Sequence, residues 1–308
     1  MTAAIISHYK CRMHKVPDWY AECPARLDVI NNQLLSTGLD YCVVHKDAPL
    51  VTREQLERVH DADYLDELAS QVPEEGFNML SDDLPLSPKT LLAAQHAAGA
   101  GVLGVDLVMA GEHDSVFCNV RPPGHHAERK KAMGFCFYNN VAVAAAHALE
   151  HYGLKRVAII DFDVHHGNGT QDIFIDDKRV LFFSSFQYPF FPETDVDVEQ
   201  QNIVNIKLDS AAKSDEFKDA IEQGVFAPLA AFEPELILIS AGFDAHIDDD
   251  MSSVGLVEDD YIWITRQIRA IADNTDCCRG LVSTLEGGYN LPALARSVVA
   301  HIKALAKL

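Results

Sequence analysis

The sequence predicts a single α/β domain in which a parallel β-sheet carries helices on both faces. Two observations lead to this prediction: nearly continuous apolar runs recur along the chain, and longer segments with helical periodicity separate them. A run that is apolar at almost every position is typical of a strand buried on both faces of a parallel sheet. Strands that alternate with helices in this way form an α/β sheet. No repeat or low-complexity linker divides the 308 residues, so we expect one domain over 1–308.

The predicted elements can be assigned in chain order. The predicted strands are the apolar runs 115–120, 156–161, 179–185, 202–208, 235–240 and 280–285. The predicted helices lie at about 88–110, 138–152, 215–232, 258–273 and 292–307. Ser87-Pro88 supplies a capping residue followed by a proline at the first helical position, and Pro292 can open the last helix in the same way.

The formal net charge of −21 limits the classes of partner. Such a charge argues against non-specific binding to nucleic acid, because the phosphates would be repelled. It is compatible with a cationic substrate, and equally with a solvated surface adapted to salt. The acidic residues, such as the run Asp248 to Asp250, are spread along the chain, which favours the general surface.

The sequence also bears on location. We see no apolar run that approaches the roughly 20 residues needed to cross a bilayer, and no basic segment followed by a long apolar one at the N-terminus. The seven cysteines are scattered and odd in number, which favours reduced thiols over a disulfide framework. We therefore expect a cytoplasmic protein without a membrane partner.

Polar, glycine-containing segments follow four of the predicted strands directly. They read RPPGHH (121–126), DFDVHHGNG (161–169), AGFDAH (241–246) and EGGY (286–289). In open parallel sheets, ligands bind beyond the carboxyl ends of the strands. The four segments should therefore meet in one crevice and bring His, Asp and Tyr side chains together, which predicts an active site.

The second and third of these segments suggest a metal site. Asp163 and His165 are two residues apart, so in an extended strand end both side chains point the same way. Asp244 can supply a third ligand from another strand. Two carboxylates and one imidazole leave a coordination position for water, which is typical of a catalytic zinc. An Asp-x-His pair alone would be weak evidence, because polar residues often only cap the end of a strand.

The other two segments can supply proton transfer and an oxyanion donor. His125 and His126 follow a rigid Pro-Pro-Gly turn, and imidazole suits proton transfer near neutral pH. Tyr289, behind two glycines, can donate a phenolic hydrogen bond to a polarised carbonyl oxygen. A zinc with two carboxylate ligands acidifies water less than one with neutral ligands, so both kinds of help are needed.

Together these blocks resemble the signature motifs of the histone-deacetylase and acetylpolyamine-amidohydrolase superfamily. The resemblance also includes GFC (134–136) and extends from ECPARL (22–27) to the last helix. It implies an arginase-deacetylase fold with an eight-stranded parallel sheet flanked by helices. It further implies one Zn²⁺ per chain bound by Asp163, His165 and Asp244, with acetylated amines as substrates.

The resemblance also implies the roles of individual residues. His126 corresponds to the general base and acid, His125 to its partner held by Asp161, and Tyr289 to the transition-state hydrogen-bond donor. Asn168 stands behind His126, as in class II-like members. The implied tunnel and rim residues are Phe135, Phe191, Gly134, Cys136, Asp83 and Gly288; Arg26 corresponds to an acetate-channel arginine; and a structural K⁺ is implied near Asp161, Asp163, His165, Ser184 and Ser185. Without the resemblance, Phe135 and Phe191 would be interpreted as core residues.

Several interpretations stay open. The substrate is acetyl-lysine in a peptide or protein, or else an acetylated polyamine, which would suit the acidic surface. A catalytically silent acyl-binding or acetoin-utilisation-type protein is a third interpretation, against which the intact ligands, histidines and Tyr289 weigh. An arginase-like dimanganese hydrolase would need further carboxylates. PFFPETD (189–195) and Trp19-Tyr20 depart from the usual motifs, which affects substrate choice, and the sequence leaves open whether the protein forms a homo-oligomer.

Overall fold

The computed structural model of the protein describes residues 3–308. Its strands are β1 (Ala4–Ser7), β2 (Val44–Asp47), β3 (Asn78–Met79), β4 (Pro85–Leu86), β5 (Ser115–Cys118), β6 (Val157–Asp161), β7 (Val180–Gln187), β8 (Ile203–Leu208), β9 (Leu236–Ala241) and β10 (Leu281–Leu285). Its helices are α1 (Ala25–Ser36), α2 (Arg53–Glu57), α3 (Ala62–Ser70), α4 (Thr90–Met109), α5 (Asn140–His151), α6 (Asn168–Phe174), α7 (Ser214–Ile221), α8 (Ala227–Phe232), α9 (Glu258–Asp273) and α10 (Leu291–Leu305).

Eight of the strands form one sheet in the order β2-β1-β5-β10-β9-β6-β7-β8, and every neighbouring pair in it is parallel. The expectation of an eight-stranded parallel sheet flanked by helices is therefore confirmed. The six predicted strands correspond to β5 to β10, whose residues are almost all buried. A separate antiparallel pair, β3 and β4, lies outside this sheet.

The register of the central strands places the site. Asp161, at the end of β6, pairs with Ser240 of β9, and Ala241 of β9 pairs with Leu285 of β10. The carboxyl ends of these neighbouring strands are therefore level, and the loops that follow them leave the sheet side by side.

Two helix predictions need correction. The predicted helix 215–232 is interrupted, because α7 ends at Ile221 and a π-helical turn over Glu222–Phe226 precedes α8. Pro228 explains the break, since proline has no N–H to donate and its ring crowds the carbonyl four residues earlier. Ser87 does not cap α4, which begins at Thr90; instead, the side chains of Ser87 and Thr90 are hydrogen-bonded at 2.8 Å.

The start of α10 agrees with the prediction. This helix carries a proline in its first turn, and the Asn290 side chain caps it by accepting a hydrogen bond from Ala293 N.

By length and composition, α4 is the one helix among residues 3–308 that could cross a membrane. The expectation that no apolar segment reaches this length was wrong, but 72% of the most apolar stretch of α4 is buried within the protein, as in a core helix.

Candidate functional site

The candidate site lies beyond the carboxyl ends of β5, β10, β9 and β6, which are consecutive in the sheet. The loops after these strands carry the four polar segments noted in the sequence. Each strand is fully buried up to its end, so the polar side chains begin where the apolar core stops. The sheet thus brings together residues that are up to about 160 positions apart in the chain.

Asp163, His165 and Asp244 form a buried cluster at this edge. Nδ1 of His165 lies 3.1 Å from Oδ1 of Asp163 and 3.1 Å from Oδ2 of Asp244. One potential ligand atom from each residue lies within 4.8 Å of the others, and among the described residues no second group of this kind could hold a metal ion. Two carboxylates and an imidazole suit a divalent metal such as zinc.

Charge and hydrogen bonds prepare this cluster for a cation. Burial alone would lower the pKa of His165, but the carboxylates of Asp244 and Asp163 outweigh it and raise the pKa to about 10. Backbone N–H groups fix the carboxylate oxygens that face away from the ring: Val164 N donates to Asp244 Oδ1 at 3.0 Å, and Gly287 N donates to Asp163 Oδ2 at 2.8 Å. The cluster therefore has a strong affinity for positive charge and fits the metal that the sequence implies.

Gly287 allows the loop after β10 to approach these ligands. A Cβ atom at this position would lie 2.0 Å from Asp244 Oδ2 and 2.6 Å from Asp163 Oδ2. Real Cβ atoms do not come so close to oxygen, so a side chain here would displace the carboxylates. The first of the two glycines in EGGY is therefore needed for space.

His125 and His126 lie beside the cluster with their rings 3.9 Å apart. Nδ1 of His125 lies 2.9 Å from Oδ2 of Asp161. Burial would lower the pKa of His125, but the charges of Asp161 and Asp163 raise it to about 10, so this imidazole carries a proton at neutral pH. The pairing of His125 with Asp161 is the one that the family resemblance implies.

His126 is in a different electrostatic state. Burial, together with the neighbouring His125 and His165, lowers its pKa well below the usual value. Its Nδ1 lies 2.7 Å from the side-chain oxygen of Asn168, a neutral partner. The two adjacent imidazoles therefore differ in charge, one cationic and one neutral, which is the pattern expected of an electrostatic stabiliser and a base.

Sequence reasoning missed Glu286, which binds the backbone of the segment that carries the histidine pair. Its fully buried carboxylate accepts hydrogen bonds from Gly124 N at 2.7 Å and His125 N at 3.2 Å, and from the Ser240 hydroxyl at 3.2 Å. Burial raises the pKa of Glu286 to about 7. The acidic residue in EGGY was a visible signal, but two of its partners are backbone N–H groups, which no sequence pattern identifies.

Tyr289 is restrained by Arg26. The Arg26 guanidinium lies over the Tyr289 ring, 5.0 Å from its centroid, and Arg26 Nε donates to the carbonyl of Gly288 at 2.7 Å. Burial raises the pKa of Tyr289 well above the usual value, so the phenol keeps its proton and can donate it to a hydrogen bond. Glu22, another residue missed in the sequence, binds Arg26 at 3.2 Å within the buried interior.

Phe135 and Phe191 lie at the opening of the site and not in the core. Phe191 is 38% exposed and meets the rings of His126 and His165 edge-on, at centroid distances of 5.2 and 5.9 Å. Phe135 is half-buried and contacts Tyr289 at 5.7 Å. Their interpretation as core residues is therefore wrong. Phe190, which the sequence analysis did not single out, stacks on His165 at 5.5 Å.

The remaining predicted rim residues form a connected group. Asp83 accepts hydrogen bonds from Gly134 N at 2.8 Å and from the Ser81 hydroxyl, so it holds the loop that carries Phe135. The Cys136 thiol is buried and faces the carbonyl of Gly134 at 3.2 Å. Of the serines predicted near the structural cation, Ser184 accepts a hydrogen bond from Gly167 N, and the buried Ser185 hydroxyl has no partner among the described residues.

The chain is similar to known proteins over nearly its whole length. Residues 20–305 match the histone deacetylase domain. The chain is 37% identical over 308 residues to the uncharacterized protein slr0245 of Synechocystis sp., with 98% of this chain and 99% of the relative covered. It is also 37% identical over 306 residues to polyamine deacetylase HDAC10 of Mus musculus. This match covers 94% of this chain but only 45% of that relative.

A solved structure agrees with these similarities. The HD domain of HDA15 superimposes with a TM-score of 0.93 at 30% sequence identity, covering 100% of this chain and 89% of that chain. The similarity in fold therefore extends over the whole chain. The chain therefore belongs to the histone deacetylase family, a family of deacetylases and amidohydrolases.

Proposed function

We propose that this protein is a zinc-dependent deacetylase that hydrolyses the amide bond of an acetylated amine to acetate and the free amine. One observation carries the proposal: a metal-type cluster, a neutral imidazole and a protonated tyrosine converge on one buried site. Hydrolysis of an amide needs a Lewis acid that polarises the carbonyl group, a base that takes a proton from water, and a hydrogen-bond donor to the developing oxyanion. The metal-type cluster, His126 and Tyr289 can fill these three roles.

In this proposal the side chains of the site divide the proton transfers between them. When bound at Asp163, His165 and Asp244, zinc would supply a Lewis acid and lower the pKa of water. His126 takes a proton from the attacking water as the new C–O bond forms. Tyr289 donates a hydrogen bond to the acyl oxygen, and the positive charge of His125 stabilises the negative charge that develops there. His126 then gives its proton to the leaving nitrogen as the C–N bond breaks.

The rim supports an extended alkyl amine as the substrate. Phe135 and Phe191 at the opening of the site provide two aromatic faces that could bind a methylene stem while excluding water. Acetyl-lysine in a peptide or protein has such a stem, and so do acetylated polyamines. The similarity to a polyamine deacetylase favours the second candidate, and the net charge of −21 is compatible with a cationic substrate.

We further propose a structural cation beside the metal-type cluster and a reducing compartment for the protein. A structural K⁺ near Asp161, Asp163, His165, Ser184 and Ser185 would give the Ser185 hydroxyl, buried without a partner among the described residues, an ion to contact. A reducing compartment such as the cytoplasm suits the seven cysteines, which form no disulfide within residues 3–308.

Metal analysis and a substrate comparison test the proposed function. The purified protein should hold about one zinc per chain and should release acetate from acetyl-lysine peptides, acetylputrescine or acetylspermidine. The ratio of kcat/KM values among these substrates then identifies the physiological class. Two manganese ions per chain without deacetylation would overturn the proposal, and one zinc without turnover of any of these substrates would favour a silent acyl-binding protein.

A further inference from the structure

Asp249 is the middle residue of the run Asp248 to Asp250, but it does not belong to the acidic surface. Its side chain and backbone together are only 5% exposed, whereas Asp248 and Asp250 are exposed. The charge pattern predicts a solvated surface for the whole run, which is wrong for Asp249. A carboxylate is costly to bury unless hydrogen bonds replace its water, so its partners explain its position.

The partners of Asp249 are three backbone N–H groups. Oδ2 accepts hydrogen bonds from Tyr289 N at 2.6 Å and from Asn290 N at 2.8 Å, and Oδ1 accepts one from Met251 N at 3.0 Å. Hydrogen bonds to an ionised carboxylate are stronger than those between neutral groups. The carboxylate thus ties its own loop to the residue that bears the phenol and to the first residue before α10.

Neighbouring contacts make this connection more rigid. The Asn290 side chain donates to the carbonyl of Asp248 at 2.7 Å, and the Ser252 hydroxyl donates to the carbonyl of Asp244 at 3.0 Å. The loop that begins at the metal-type ligand Asp244 is therefore joined to the loop that carries Tyr289. Asp249 is the residue of the first loop that contacts the backbone N–H of Tyr289 itself.

Tyr289 needs such a link because of the residues that precede it. Gly288 has φ +118°, a backbone conformation that residues with a side chain rarely adopt. Two consecutive glycines also give the backbone before Tyr289 more conformational freedom than other residues would. Arg26 holds the carbonyl of Gly288 at 2.7 Å, but nothing in that contact fixes the N–H side of Tyr289. The Asp249 carboxylate holds this other side.

We propose that Asp249 is a positioning residue for Tyr289: by binding the N–H groups of residues 289 and 290, it sets where the phenol hydroxyl lies in the site. The inference rests on the proposed function of Tyr289 as the donor to the acyl oxygen. A misplacement of about 1 Å in such a group can lower a rate by about a hundredfold. Asp249 itself does not contact the reacting atoms.

Asp249→Asn tests this role without changing the size of the side chain. An amide has one accepting oxygen and no negative charge. Even if this oxygen faces residues 289 and 290, its hydrogen bonds to them are weaker than those of the carboxylate, and its NH₂ group then faces the N–H of residue 251. We expect kcat to fall by about tenfold or more, while KM and the zinc content stay near those of the unaltered protein. Asp250→Asn, in the exposed neighbour, is the matched control and should leave kcat unchanged.

A double-mutant cycle separates positioning from a general structural effect. In the Tyr289→Phe background the hydroxyl is gone, so Asp249→Asn should lower kcat by less than about twofold. Amide hydrogen exchange gives a readout that does not depend on activity: residues 289 and 290 should exchange faster in Asp249→Asn than in Asp250→Asn. An equal loss of kcat in both backgrounds, or unchanged exchange, would overturn the inference. If the unaltered protein shows no deacetylation, the proposed function fails, and exchange alone decides whether Asp249 holds Tyr289.

Discussion

The side-chain amide of Asn168 presents its oxygen to Nδ1 of His126, at 2.7 Å, because its nitrogen donates to the Glu128 carboxylate at 2.7 Å. An oxygen acceptor at this distance requires the His126 proton to be on Nδ1. Nε2 is then the unprotonated nitrogen, free to accept a proton. Glu128 therefore sets the tautomer of His126 through Asn168, at a distance from the reacting groups.

This chain of contacts predicts a shift in pH dependence. Asn168→Asp combined with Glu128→Gln keeps both hydrogen bonds but places a carboxylate behind His126. A carboxylate at this distance raises the pKa of an imidazole by about one unit or more. Because the base must be neutral, the acidic limb of the pH profile of kcat/KM should move to higher pH. Glu128→Gln alone is the control, and an unmoved limb in the double variant would show that His126 is not the base.

Gly287→Ala should weaken metal binding. Its Cβ atom would lie 2.0 Å from Asp244 Oδ2, so the carboxylate must move away from the position in which it faces His165. We expect the zinc affinity, measured by competition with a chelator, to fall by about tenfold or more, as when groups that support metal ligands are altered. Gly255→Ala is the control, since the nearest atom to its Cβ would lie at an ordinary 3.6 Å. Equal affinities in the two variants would contradict the assigned ligands.

Acid should destabilise the fold through His301. This residue is fully buried, with Nδ1 2.7 Å from the Thr265 hydroxyl and Nε2 2.8 Å from the Ser283 hydroxyl. Burial lowers its pKa to about 3. The unfolded chain protonates it below about pH 6.5, so the unfolded state binds more protons and the free energy of unfolding falls as the pH falls from 6.5 towards 3. Above pH 6.5 the residue adds no pH dependence.

Urea unfolding at pH 7.5 and pH 5.5 checks this prediction. His301→Gln removes the titrating group, so its free energy of unfolding should change by about 1.4 kcal/mol less between the two pH values than that of the unaltered protein. Any constant loss of stability from the substitution cancels in this comparison. The same pH dependence in both proteins would mean that His301 does not remain neutral in the folded state.

The sequence predicts features that depend on a pattern along the chain, but not features that depend on backbone contacts between distant loops. The inner strands were predictable because burial on both faces leaves a continuous apolar run. The metal-type cluster was predictable because parallel strands end at one edge of a sheet. β1 is too short to stand out, and β2 (VHKD) is a largely exposed edge strand without an apolar pattern. Glu286 and Asp249 act on backbone N–H groups from distant loops, which side-chain patterns do not reveal.

The proposed chemistry depends most directly on Tyr289, and its replacement by phenylalanine is the most direct test. Turnover of an acetylated amine by zinc-loaded Tyr289→Phe should be lower than that of the unaltered protein by at least about a hundredfold, as expected for the loss of an oxyanion donor. Its zinc content should be unchanged, because the phenol lies outside the metal-type cluster. Near-normal turnover in this variant would contradict the account.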